Sequence, residues 1–243
     1  MFSRILPRPL ESQPMHQEAH PLLPALAFLL AVAGFATPAL AQPAAAPAAP
    51  AQSAAVSVAF LGDSLTAGYG LDGDQAYPAV INRTFKAEGR EVEVINAGIS
   101  GDTTAGGLAR IDWLLRRKPD ILVVCLGAND GLRGLSLASS EQNLRAIVAK
   151  GQAAGARVLL VGMQIPPNYG PEYTRGFAAI YPKLAKELNL PLVPFLLEGV
   201  AGKKELNQAD GIHPTAPGQE MLAKTVLVHL RPLLQQVAKA KSR

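Results

Sequence analysis

From Val56 onward, short apolar runs alternate with segments whose apolar residues recur at helical spacing. The runs are 56–61 (VSVAFL), 92–95 (VEVI), 121–126 (ILVVCL), 158–162 (VLLVG) and 192–196 (LVPFL). They are rich in Val, Ile and Leu, the pattern of strands covered on both faces. Between them, Leu108, Ile111, Leu114 and Leu115 share one helical face within 103–117. Phe177, Ile180, Tyr181 and Leu184 do the same within 174–188. A last amphipathic segment spans about 217–237, with Pro232 expected to kink or end it. Strands alternating with helices predict an α/β fold: a three-layer α/β/α sandwich around a five-stranded parallel sheet. No internal repeat and no second domain interrupt this region.

The chain before Val56 reads differently. Residues 22–36 (LLPALAFLLAVAGFA) are apolar and uncharged, and TPALAQ follows. Two readings fit, a cleaved secretory signal and a retained membrane anchor. Pro24, Gly34 and Pro38 break the run, which is short for a spanning helix, so a signal over 1–41 with cleavage after Ala41 is the expectation. One feature departs from a typical leader: Glu11 and Glu18 offset Arg4 and Arg8, and a start at Met15 would not make it more basic. Residues 42–55 are mainly Ala and Pro and read as a disordered tether, leaving 56–243 as the folded domain. A periplasmic or secreted protein is expected, with no stable membrane insertion once the signal is removed. The only cysteine, Cys125, lies inside an apolar run and reads as a buried inert thiol, so no disulfide supports the fold. A net charge of +4, without basic clusters or interleaved aromatics, gives no reason to expect a nucleic-acid partner.

In open parallel sheets, ligands bind beyond the carboxyl ends of the strands. Three polar clusters directly follow apolar runs: GDSLTAG after the first, NAGISGDTT after the second and GAND after the third. DGIHP follows the fifth run and a loop. Once the leader is removed only His213 and His229 remain, and His229 sits among apolar residues of the last helix. His213 lies in a Gly- and Pro-rich loop, with Asp210 three residues before it. At that spacing the carboxylate can accept from the imidazole Nδ1–H, which frees Nε2 to take a proton from Ser64. Donors for an oxyanion could be the Ser64 N–H, the Gly101 N–H and the Asn129 side chain. The competing structural roles are tight turns for the glycines, helix caps for Asn129 and Asp130, and turn or N-cap positions for Asp63 and Asp102. Thr66 stands where a G-x-S-x-G elbow needs glycine, and no phosphate-binding loop is present. Too few His and Cys remain for a persuasive zinc site.

Taken together, GDSL (62–65), NAGISGDTT (96–104), GAND (127–130) and DGIHP (210–214) resemble the four blocks of the GDSL/SGNH esterases, in the same order. The segments ISGDTT, GANDGLRG, PPNYGPEY, AIYPKLAKE and DGIHP are similar to the secreted bacterial thioesterase I, lysophospholipase L1 and arylesterase subgroup. The resemblance implies a flavodoxin-like fold and a serine hydrolase that needs no metal or other cofactor. It implies Ser64 as nucleophile, His213 as base, Asp210 as its orienting acid, and Ser64, Gly101 and Asn129 as the oxyanion hole. It also implies that loops 131–136 and 164–170 border the acyl groove, with Leu132, Ile165, Pro166 and Tyr169 as candidate contacts. The expected substrates are small-molecule aryl esters, acyl thioesters or lysophospholipids, handled by a monomer. A glycan O-acetylesterase using the same triad, or a non-catalytic α/β binding module, are the alternatives.

Overall fold

A computed structural model describes residues 55–242; the expected signal (1–41) and nearly all of the tether (42–55) lie outside the described residues. Five strands form one parallel sheet: β1 (Val56–Gly62), β2 (Val92–Gly98), β3 (Ile121–Cys125), β4 (Arg157–Val161) and β5 (Leu192–Val193). Their spatial order is β2-β1-β3-β4-β5, one of the common doubly wound orders. The helices are α1 (Ser64–Ala67), α2 (Tyr77–Ala87), α3 (Thr104–Leu115), α4 (Ala128–Leu132), α5 (Leu137–Ala153), α6 (Pro171–Glu187) and α7 (Ala216–Lys241). Helix α2 packs against α7, while α3 packs on α5 and α5 on α6, with the sheet between the two groups. This is the expected three-layer sandwich. Every residue of β3 is buried, as a strand covered on both faces requires. The edge strand β2 leaves Glu93 and Asn96 exposed.

Two local expectations are corrected. The run 192–196 pairs as a strand over only two residues, because Pro194 has no N–H to continue a ladder. The chain then bonds the residue just past β4, the Leu196 N–H donating to the Gly162 carbonyl at 3.0 Å. Pro232, in turn, does not end the last helix; α7 continues through it to Lys241. Pro232 is exposed, and the carbonyl it leaves without a partner belongs to Val228, itself 67% exposed, so water can satisfy it. The faces read from periodicity hold: Ile111 and Leu114 of α3 and Phe177, Ile180, Tyr181 and Leu184 of α6 are buried.

The order β2-β1-β3 places the chain reversal beside the carboxyl end of β1. The turns after β1 and β2 approach closely there. A Cβ on Gly98 would sit 2.3 Å from the Ala67 backbone nitrogen, and one on Gly62 would sit 2.0 Å from Thr66 Oγ1. Backbone cannot rotate aside, so Gly98 is the stricter of the two. Gly98→Ala should lower stability by roughly 1–3 kcal/mol, the usual penalty of overpacking. Urea denaturation checks this, and an unchanged midpoint would show that the two turns can separate.

Candidate active site

The turn after β1 is set by Asp63, the N-cap of α1, whose Oδ1 accepts from the Leu65 N–H at 3.0 Å. Ser64 is thereby the first residue of the helix, where a backbone N–H has no intrahelical acceptor. Its Oγ lies 2.9 Å from His213 Nε2. His213 Nδ1 lies 2.7 Å from Asp210 Oδ2, while Asp210 Oδ1 accepts from the Ile212 and His213 backbone N–H groups, each at 3.0 Å. With Nδ1–H donated to a carboxylate, Nε2 is left as the acceptor for the Ser64 hydroxyl. The His213 ring hydrogen bond, followed by the two backbone donors, holds the Asp210 carboxyl down at about 2. Asp210 therefore stays ionised throughout the neutral range.

Gly101 has φ +80°, a conformation that suits glycine. Its carbonyl accepts from an Arg133 guanidinium N–H at 2.9 Å, and its own N–H has no partner among the described residues. Asn129, at the start of α4, donates one amide hydrogen to the Asp102 carbonyl at 2.9 Å, leaving its second N–H uncommitted. Gly127 (φ +116°) sets this turn; a Cβ there would meet the Tyr181 hydroxyl at 2.2 Å. Ser64, Gly101, Asn129 and His213 all line one cavity of about 660 Å³, within the usual range of small-molecule sites.

Leu132, Ile165 and Pro166 line the same cavity; Tyr169 does not. Tyr169 instead donates its hydroxyl to the Leu132 carbonyl at 2.7 Å, bracing that wall from behind. Met163, Phe195, Leu197 and Ala201 also line the cavity, and the sequence pattern does not single them out. The apolar run puts Phe195 inside a strand, whereas Pro194 before it stops the ladder and is the signal for its release. Tyr69 was missed as well. Its ring is 4.5 Å from the His213 ring, tilted by 37°.

Beneath the site, the polar groups placed as turn or capping residues form a buried layer. Asp130 accepts from the Thr104 N–H and hydroxyl at 2.8 and 2.5 Å and from the Ser140 hydroxyl at 3.1 Å, so it caps α3 from another element. The local N-cap of α3 is Thr103. Asp102 pairs with Arg110 at 2.8 Å, and Arg110 also donates to the Gly62 carbonyl at 3.0 Å. Burial pushes the Asp63 carboxyl up to about 7, with the Asp102 charge adding and the Leu65 N–H opposing. The Cys125 thiol is buried and pushed up to about 12, an inert state. Among the described residues no cluster of three or more His, Cys, Asp or Glu could hold a metal ion.

A serine, an imidazole and a carboxylate in a hydrogen-bonded chain, beside uncommitted N–H donors on a parallel sheet, describe the hydrolase class of protein. The chain belongs to the GDSL-like lipase/acylhydrolase family, whose profile matches residues 60–221. It is 47% identical to esterase TesA of Pseudomonas aeruginosa over 184 residues, 75% of this chain and 92% of that protein. It is 44% identical to the thioesterase 1/protease 1/lysophospholipase L1 of Escherichia coli strain K12 over 183 residues, 75% of this chain and 86% of that one. Among solved structures it is similar to the psychrotrophic esterase EstA from Pseudoalteromonas sp., in a form inhibited by monoethylphosphonate. The TM-score is 0.71 and the identity 36%, covering 74% of this chain and 98% of that one. The chain is a carboxylic ester hydrolase.

The raised Asp63 carboxyl makes a signed prediction. A carboxyl at about 7 in the fold and 3.8 in the unfolded chain binds more protons when folded. Its stability contribution is therefore present below about pH 4 and lost as the pH rises through about 7. Asp63→Asn keeps an acceptor for the Leu65 N–H and removes the titration. Thermal melts of the two proteins between pH 4 and 8 should show a flatter profile for the variant; parallel profiles would mean Asp63 is ionised throughout.

Proposed function

We propose that the protein hydrolyses carboxylic esters and thioesters with apolar acyl chains through an acyl-Ser64 intermediate. His213 takes the hydroxyl proton as Ser64 Oγ attacks the substrate carbonyl carbon. The tetrahedral oxyanion accepts hydrogen bonds from the Ser64 N–H, the Gly101 N–H and the free Asn129 amide hydrogen. Collapse expels the alcohol or thiol, protonated by His213. Water, deprotonated by His213, then releases the acid and restores Ser64. Asp210 holds the imidazole tautomer and stabilises its charged form. The observation that carries this reading is the continuous Asp210–His213–Ser64 hydrogen-bonded chain at 2.7 and 2.9 Å.

The cavity walls support this substrate class. Leu132, Met163, Ile165, Pro166, Phe195 and Leu197 offer far more apolar contact than an acetyl group can use. That favours aryl esters, acyl thioesters and lysophospholipids over acetylated glycans, in keeping with the thioesterase and lysophospholipase named in the Escherichia coli relative. Residues 1–41 act as a cleaved export signal and 42–55 as a tether, giving a monomer that works in the periplasm or outside the cell. Among the described residues no helix is long and apolar enough to cross a membrane.

Three measurements test the reading. A fluorophosphonate probe should label the folded wild type, fail on Ser64→Ala and label His213→Ala far more slowly; an unlabelled wild type would defeat the mechanism. Asn129→Ala should lower kcat by about 10²–10³-fold, the usual loss for one oxyanion donor. Near-normal turnover would remove Asn129 from the site. On p-nitrophenyl esters, rates should be maintained beyond butyrate, whereas activity confined to acetate would favour the O-acetylesterase alternative.

A further inference from the structure

Ser64 and His213 are separated by 149 positions in the chain, and their hydrogen bond requires the two segments to keep a fixed relative placement. The contacts inside the histidine loop do not supply this, because the Asp210 bonds are local to residues 210–213. Two glutamine side chains do. Gln208 Nε2 donates to the Tyr69 carbonyl at 2.7 Å and to the Pro214 carbonyl at 3.0 Å. Its backbone N–H donates to the His213 carbonyl at 2.7 Å. Gln219, in the first turn of α7 and 1% exposed, donates from Nε2 to the Leu65 carbonyl at 3.2 Å. Its Oε1 accepts from the Tyr77 N–H at 2.8 Å.

The chemistry of these contacts explains why amides stand there. Helix α1 has only four residues, so carbonyls in and just after it lack intrahelical donors. Leu65, inside the helix that begins with Ser64, and Tyr69, just after it, are two such residues. The Gln208 amide can face only one way, since both neighbours of Nε2 are carbonyl oxygens, which accept and cannot donate. Gln219 meets one carbonyl and one N–H, a pair that a carboxylate, an ammonium or an apolar side chain cannot satisfy together. The fit at Gln208 is close: a Cβ on Gly70 would lie 2.4 Å from its Oε1. Neither glutamine lines the cavity that holds Ser64 and His213.

We infer that Gln208 and Gln219 are positioning residues that staple the His213 segment to the Ser64 segment and so set the serine–imidazole geometry. They act on the transition state through Ser64 and His213 and touch no substrate. The inference rests on the proposed triad, and the controls separate the two. In purified protein assayed on p-nitrophenyl butyrate, Gln208→Met should lower kcat by about 10–100-fold, the scale of an ångström-size misplacement. KM should stay within about twofold, since uniform binding is untouched. Fluorophosphonate labelling of Ser64 should slow in proportion. Gln208→Lys, whose ammonium can donate to the same two carbonyls, should recover part of kcat. Gln236→Met, an exposed change elsewhere on α7, should match wild type. The downfield proton resonance of the His213–Asp210 bond should persist in Gln208→Met, because that pair is internal to the loop.

Unchanged kcat in Gln208→Met would overturn the staple, as would loss of the downfield resonance, which would mean the loop itself had melted. Gln219→Met should show the same kcat effect if it folds; if it does not, the Gln208 variants decide. A wild type that is not labelled at Ser64 would refute the triad rather than the staple.

Discussion

The site depends on one hydrogen bond between distant parts of the chain, Ser64 Oγ to His213 Nε2 at 2.9 Å. A side-chain contact of this kind contributes little net stability by itself, so it cannot hold its own segments in place. The surrounding fold supplies the rigidity. The parallel sheet fixes where β1 ends, Asp63 fixes how α1 begins, and the opening of α7 fixes where the histidine loop must return. The end of β2 at Gly98 comes so near the Ala67 backbone that a Cβ there would lie 2.3 Å from its nitrogen, which ties the two turns closely together.

Below that contact lies a buried polar layer that an apolar core would not need. Asp130, Thr104 and Ser140 satisfy one another, and Asp102 is matched by Arg110. No buried side-chain nitrogen or oxygen among the described residues lacks a partner. A fully satisfied network is directional, and so specifies one geometry where apolar packing tolerates several. Asp63, bonded to the Leu65 N–H, is a buried carboxyl whose burial opposes the charge that its capping role favours. Asp102 and Asp130 are chain neighbours of Gly101 and Asn129, and their bonds to Arg110, Thr104 and Ser140 tie those positions into the network.

The sequence carried the sheet, both large helical faces and the four polar clusters because each is a local pattern. Strand β1 and the faces of α3 and α6 differ from expectation by only a few residues. The Asp210–His213 pairing was legible because three residues in a turn suffice to form it. What stayed hidden is long-range. Gln208 and Gln219 are ordinary polar letters until the fold brings them to Tyr69 and Leu65. Tyr169 read as a contact residue, yet its hydroxyl turns to the Leu132 carbonyl, a choice that sequence spacing does not encode. Pro232 and Pro194 show that a proline's meaning depends on its surroundings. On the wet side of α7 it is tolerated; at the end of β5 it stops the ladder.

The shortness of β5 also matters for the protein's behaviour among its own copies. A sheet edge with a long row of free backbone groups invites another chain to add a strand. Here one edge is a two-residue strand between Pro191 and Pro194, and the opposite edge carries the exposed carboxylates of Glu91 and Glu93. Both borders are poor templates for strand addition. The break that releases Phe195 toward the cavity thus also leaves that edge of the sheet with few free backbone groups for a second copy to pair with.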